Sequence, residues 1–196
     1  MMAKKVHTSP LPSGYTECEY LVSTGTQYIN TGIAFTNSDT KSFSAIVSRD
    51  TKDNTDRGFG VAVTGGLHFV FDEGYRIRTG GGNTSTAPTY EIGQKYNIKA
   101  FYDSSKRRCI TIDEERNYIG SAYSASQANL LLFALQTSSG KWVGKCYAAF
   151  VEDANGNKVA DFIPSLNPQG RPCMYDIVRK TPYYNIGSGE FQYKLK

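Results

Sequence analysis

The segment IDEERN carries Asp113 and Glu115, alternate positions that a strand would turn to one face. Two carboxyl groups about 5–5.5 Å apart are what a retaining glycosidase needs, one as nucleophile and one as acid. IDEERN, however, falls between RRCITI and NYIGSA, where a hairpin turn is expected, so a charged turn is the reading it favours. Glu152 and Asp153 are adjacent and would point apart. DANGNKVADF opens like a calcium-binding loop, but it lacks glycine at its sixth position and has Pro164 at its twelfth, which excludes an EF-hand. A looser site of carboxylate and carbonyl oxygens stays open.

Other reactive groups are sparse. TGGGNTST is glycine-rich, yet it lacks the Lys-Ser/Thr pair and the strand-to-helix setting of a phosphate loop. Of the two histidines, His7 lies near the start, and His68 alternates with core positions on a strand and is expected to face water. Neither has a Ser or Cys motif beside it, so nucleophilic catalysis has little support. Cys18, Cys109, Cys146 and Cys173 are far apart, without a C-x-x-C pair. They read as small core residues, with zinc or disulfides as the alternatives. Asn83-Thr84-Ser85 matches the glycosylation sequon, which carries no weight without a secretion signal. No enzymatic activity, metal or cofactor is expected.

Binding leaves fainter marks. An aromatic ring can stack on the C–H face of a sugar while neighbouring groups bond its hydroxyls. Trp142 at a strand start, Tyr75 after a turn, and Tyr183 and Tyr184 near the C-terminal NIGSG are the candidates, with core packing as the competing role for each.

These residues must be held by strands. The 196 residues include 14 Tyr and 10 Phe, and aromatics make up 13 % of the chain, a composition suited to pleated, half-buried surfaces. Period-two alternation groups Cys18, Tyr20 and Val22; Phe43, Ala45 and Val47, with serines mostly opposite; Leu67, Phe69 and Phe71; Tyr96, Ile98, Ala100 and Tyr102; and Ile110 with Ile112. NLLLFALQ (129–136) is apolar on both faces and predicts a central strand. KWVGKCYAAFVED, the Asn-Gly turn in ANGNK, and VADFIPS predict a hairpin. DNTDRG and TGGGNTSTAP read as loops, and GSAYSASQAN as a short helical turn. Many short strands with Gly and Asn turns predict an all-β, antiparallel two-sheet sandwich or jelly roll over residues 14–196.

Residues 1–13, basic and then proline-rich, read as an N-terminal arm. Its Lys4, Lys5, Val6 and Leu11 are candidates for contact with a partner. No apolar run of signal-peptide length follows the lysines, and no stretch approaches the ~18 apolar residues of a membrane span. The net charge of +4 is scattered, which argues against nucleic acid.

Two stretches resemble a known family. LPSGYTECEYLVSTGTQYINTGI (11–33) is similar to the opening of a module common in bacteriophage and gut-bacterial proteins. VADFIPSLNPQGRPCMYDIVRKTPYYNIGSGEF (159–191) is similar to its ending, through the D-F-I-P, N-P-x-G, M-Y-D and N-x-G-x-G-x-F elements. The resemblance implies a concanavalin A-like or laminin G-like jelly roll with paired terminal segments. Tyr28 and Ile29 would then insert to opposite sides, Gly25 and Gly32 would bend the chain at strand ends, and MYD and NIGSGEF would close the sheet alongside. Cys173, where members often have glycine nearby, and Pro182 depart from the pattern and bear on turn geometry. The resemblance also implies a non-enzymatic virion protein, made in the host cytoplasm and acting in the capsid as a decoration or in the tail or fibre as an accessory. Its arm and a sheet face would bind other virion proteins, with homo-oligomerisation open. The alternative is a lectin-like module for host or mucosal polysaccharide.

Overall fold

A computed structural model describes residues 9–36, 39–51, 57–61, 63, 66–72, 75–80, 87–122, 127–137 and 140–196. His7, Lys4, Lys5, Val6, the Asn83 sequon, and most of TGGGNTST, DNTDRG and the YSAS tract lie outside them. The strands in chain order are β1 (Thr16–Thr24), β2 (Ile29–Phe35), β3 (Ser42–Arg49), β4 (Arg57–Val61), β5 (His68–Phe71), β6 (Ile77–Arg78), β7 (Tyr96–Tyr102) and β8 (Arg107–Ile112). They continue with β9 (Arg116–Ala122), β10 (Ala128–Leu132), β11 (Val143–Glu152), β12 (Lys158–Leu166), β13 (Pro172–Asp176), β14 (Thr181–Tyr183) and β15 (Gln192–Leu195).

These strands form an antiparallel two-sheet sandwich, as alternation predicts. The larger sheet runs β14-β13-β12-β1-β11-β3-β7-β8-β9, with β15 paired to β1. The smaller runs β2-β10-β4-β5-β6. The apolar β10 is flanked on both edges, and β11 and β12 form the predicted hairpin.

Between the sheets lies a core rich in rings. Phe43 of β3 stacks on Phe69 of β5 at 5.7 Å, and Phe69 stacks on Phe59 at 5.3 Å. Trp142 meets Phe59 at 5.4 Å and Phe71 at 4.9 Å, both edge-on, a geometry favoured by the ring quadrupoles. Trp142 is fully buried and leaves the list of sugar-stacking candidates. It stands at a strand start, just before β11, as its sequence position indicates, and the chain turns it inward there.

Three local expectations change. Cys18 shares the buried face with Leu21 and Ser23, while Tyr20 and Val22 are half-buried. A register shift between Cys18 and Tyr20 against β15 inserts the extra residue that breaks the alternation. Gly32 sits inside β2, not at its end; its φ of +67° accompanies a register shift against β10. MYD forms β13, which is separated from β1 by β12, so it does not border the opening segment. Pro182 lies in β14, the end strand of the sheet, where its missing N–H is tolerated.

The family-like motifs at the two ends meet in a polar latch. Gln27, buried between β1 and β2, accepts from Thr24 N at 2.8 Å and donates to Glu190 O at 3.3 Å. Asn185 accepts from Tyr28 N at 3.0 Å and Gly187 N at 2.8 Å, and donates to Gly189 O at 2.6 Å. Backbone bonds join Ile186 N to Tyr28 O and Ser188 N to Thr26 O. A Cβ on Gly187 would stand 2.0 Å from Thr26 O, so only glycine lets these two loop segments approach this closely.

Losing the Asn185 side chain leaves buried donors and acceptors without partners. Asn185→Ala is expected to cost about 2 kcal/mol in urea denaturation, and a loss below about 0.5 kcal/mol would show that the latch is incidental.

Candidate functional site

The outward face of the larger sheet carries a straight cross-strand row. Phe150 of β11 pairs with Ser44 of β3, Ser44 with Lys99 of β7, Lys99 with Thr111 of β8, and Thr111 with Asn117 of β9. Four interstrand steps make it ~19 Å long. A second row beside it contains Phe101, Cys109 and Ile119.

The small residues of β3 create the relief. Ser42 and Ser44 are buried at the bottom, while Phe150 and Lys99 rise from the strands on either side. The result is an open groove of about 250 Å³ lined by Ser44, Asn97, Lys99, Thr111, Glu114, Phe150 and Glu152. Lys99 pairs with Glu152 at 2.7 Å, and Lys158 Nζ lies 4.6 Å from the Phe150 ring centre. Thr111 Oγ1 donates to Asn117 Oδ1 at 2.7 Å.

The IDEERN segment is the predicted turn. Asp113 and Glu114 hold φ of +51° and +62°, and Asp113 accepts from Asn97 N at 2.8 Å and from Arg116 at 3.0 Å. Those bonds explain how non-glycine residues are kept in the left-handed region. They also place Glu114, not Glu115, at the groove. Asp113 is spent on the turn. Glu114 and Glu152 are thus the carboxylates that share a groove, a pairing that strand spacing could not show.

The remaining sequence candidates are not gathered into one site. Tyr75, half-buried at φ +58°, packs 5.8 Å from Tyr90 beside the smaller sheet. Tyr183 packs on Phe162 at 5.5 Å and lies against the core. The Tyr184 hydroxyl accepts from Asn167 at 3.0 Å, and its ring is covered by Arg171 at 4.7 Å. Leu11 is half-buried and heads a turn in which Tyr15 N donates to Pro12 O.

All four cysteines are buried and free. Burial pushes the Cys18 thiol up to about 11, Cys173 up to about 12, and Cys146 higher still. Thiols so placed are poor nucleophiles and poor metal ligands. No group of three or more His, Cys, Asp or Glu suited to a metal occurs among the described residues. Among these residues, too, no helix is long and apolar enough to cross a membrane.

His68 is half-buried and does not simply face water. Its Nδ1 lies 2.8 Å from Gly66 O. Burial, with the nearby Arg108 and Arg78 guanidinium groups, pushes the imidazole down to about 4.

No protein-family model matches the chain, and no curated protein sequence does. Among solved structures, the full extracellular region of zebrafish Gpr126/Adgrg6 is similar over 92 % of this chain and 26 % of that one, at 11 % identity and a TM-score of 0.48. The chain therefore spans about a quarter of that relative's length.

His68 titrates in the unfolded chain near its ordinary value of about 6.5. Its folded value lies lower, so stability is full above about pH 6.5 and falls as pH drops toward 4, where the unfolded state takes up a proton the fold refuses. Thermal unfolding of wild type and His68→Asn between those pH values should show the smaller loss in the variant; parallel curves would remove His68 as the cause.

Proposed function

We propose that this chain is a non-enzymatic saccharide-binding module and that the groove on the larger sheet is its binding surface. The observation that carries the reading is the Phe150–Ser44–Lys99–Thr111–Asn117 row. It sets the Phe150 ring, with the Lys158 ammonium against one of its faces, at one end of a floor of small side chains, followed by donors and acceptors at strand spacing. A sugar chain presents the complement, with apolar C–H faces and a rim of hydroxyls. The groove is open and elongated, which suits an extended chain better than a compact cofactor.

The Lys99–Glu152 pair suits binding better than catalysis. Glu152 is engaged by the Lys99 ammonium and serves as a fixed acceptor. A shallow groove of this kind binds weakly in a single copy, and display in many copies raises avidity without new contacts. That fits the setting implied by the resemblance of residues 11–33 and 159–191, an adhesive component of a bacteriophage particle.

A second reading is a virion structural protein that docks on its neighbours through the arm and a sheet face. The observation favouring it is on β15, where Tyr193 and Leu195 are 44 % and 49 % exposed although they pair with the buried Leu21 and Cys18. Finding the chain in purified particles, with these two side chains covered by a neighbour, would support it; a chain absent from particles would end it.

The saccharide reading is tested by titrating an oligosaccharide panel against wild type and Phe150→Ala. Phe150 is half-buried on the outward face, so the variant should fold. Covering the Phe150 ring takes out of water apolar area worth on the order of 1.5 kcal/mol, so its loss should weaken binding about tenfold. Unchanged affinity in the variant, or no binding to any saccharide, would overturn the assignment.

A further inference from the structure

The second outward row borders a hollow of its own. Phe101, Cys109 and Ile119 stand side by side on β7, β8 and β9, and with Asp103 and Asn117 they bound about 280 Å³ next to the groove. Ile119 is 49 % exposed and, beside Phe101 and Cys109, extends the apolar wall of the hollow to the surface; a contiguous apolar patch, not a lone side chain, marks a contact surface. The wall is mainly apolar, and two polar groups at its edge are already arranged. Asp103 is already engaged: it accepts from Ser105 N and Arg107 N, each at 2.9 Å, and from Arg107 Nε at 2.7 Å.

Asn117 is different. Its Oδ1 is held by Thr111 at 2.7 Å, which fixes the amide plane. Its Nδ2 has no acceptor among the described residues. The amide thus stands between the groove and the hollow with one end tied to the groove and a donor left over. A donor beside an apolar hollow matches a carbonyl that carries a methyl group.

We propose that this hollow receives an acetyl substituent, so that the saccharide held by the groove is an acetylated one. The inference rests on the saccharide reading above and adds the substrate class. The carbonyl accepts from Asn117 Nδ2, and the methyl group lies against Ile119 and Phe101. The sugar ring that bears it occupies the Thr111 end of the groove. Asn117 is exposed, so water serves its Nδ2 when no ligand is bound; the acetyl carbonyl replaces that water, and the gain comes from the methyl group covering Ile119 and Phe101.

The test is isothermal titration of the intact chain with two tetrasaccharides of the same linkage, one of N-acetylglucosamine and one of glucose. Acetate-esterified and de-esterified xylan fragments form a second pair that separates amide from ester sources of the acetyl group. The acetylated member of at least one pair is expected to bind about tenfold tighter. Ile119→Ser, at an exposed position outside the groove row, should remove that preference and leave the weaker binding of the unsubstituted partner; Asn117→Ala should remove the preference as well. Equal affinities within both pairs, still lost in Phe150→Ala, would overturn the acetyl assignment while the saccharide reading stands. No binding by any of the four would overturn both.

Discussion

The fold depends on a crossing between layers that is tied by two side-chain amides. After β1 the chain leaves the larger sheet, turns through Gly25 at φ +102°, and enters the smaller sheet as β2. Few backbone groups in that turn have strand partners, and Gln27 and Asn185 supply the missing ones. Asn185 belongs to a segment more than 150 residues away in sequence, so the turn is completed only when the end of the chain arrives. The family-like STGTQY and NIGSG elements are therefore two halves of one structural device. That role accounts for their residue types without a ligand. It also implies slow, long-range assembly, since β1 and β15 must find each other across the whole domain.

The groove depends on that closure at one remove. β1 pairs with β11, which holds β3 on its other side, and β3 is the strand of small residues between Phe150 and Lys99. On its inward face β3 offers Phe43, Ala45 and Val47 to the core. On its outward face serines leave space that the neighbouring side chains do not fill. The same strand thus builds a tight interior and an open exterior, which is what a sheet needs if it is to bind along its surface and not at its loops. The strained turn at Asp113 and Glu114 finishes the groove at one end.

Much of the architecture was legible in the residues. Alternation marks the inward sets of β3, β5, β7 and β8, the apolar run marks β10, and Asn-Gly marks the β11–β12 turn. The failures have identifiable causes. A bulge shifts Cys18 and Tyr20 out of step, and no local pattern signals an inserted residue. Trp142 lies just before a strand, yet it fills the space between Phe59 and Phe71. His68 alternates outward as expected, but it is half-buried there, and burial together with the charges of Arg108 and Arg78 disfavours its protonated form.

The candidate site shows where the division falls. By itself the sequence determined that Ser44, Lys99, Phe101 and Thr111 lie opposite the core, because the side-chain period of a strand is local and fixed at two; it left Phe150 open, since a register shift between Cys146 and Ala148 breaks the alternation of β11. It could not say that Phe150, Ser44, Lys99, Thr111 and Asn117 form one row, since register between strands is set by turns, bulges and burial throughout the sheet. Tertiary structure alone brought residues from five strands into line. It also took Trp142, one of the four aromatic candidates, into the interior, because a large ring gains most where both of its faces leave water.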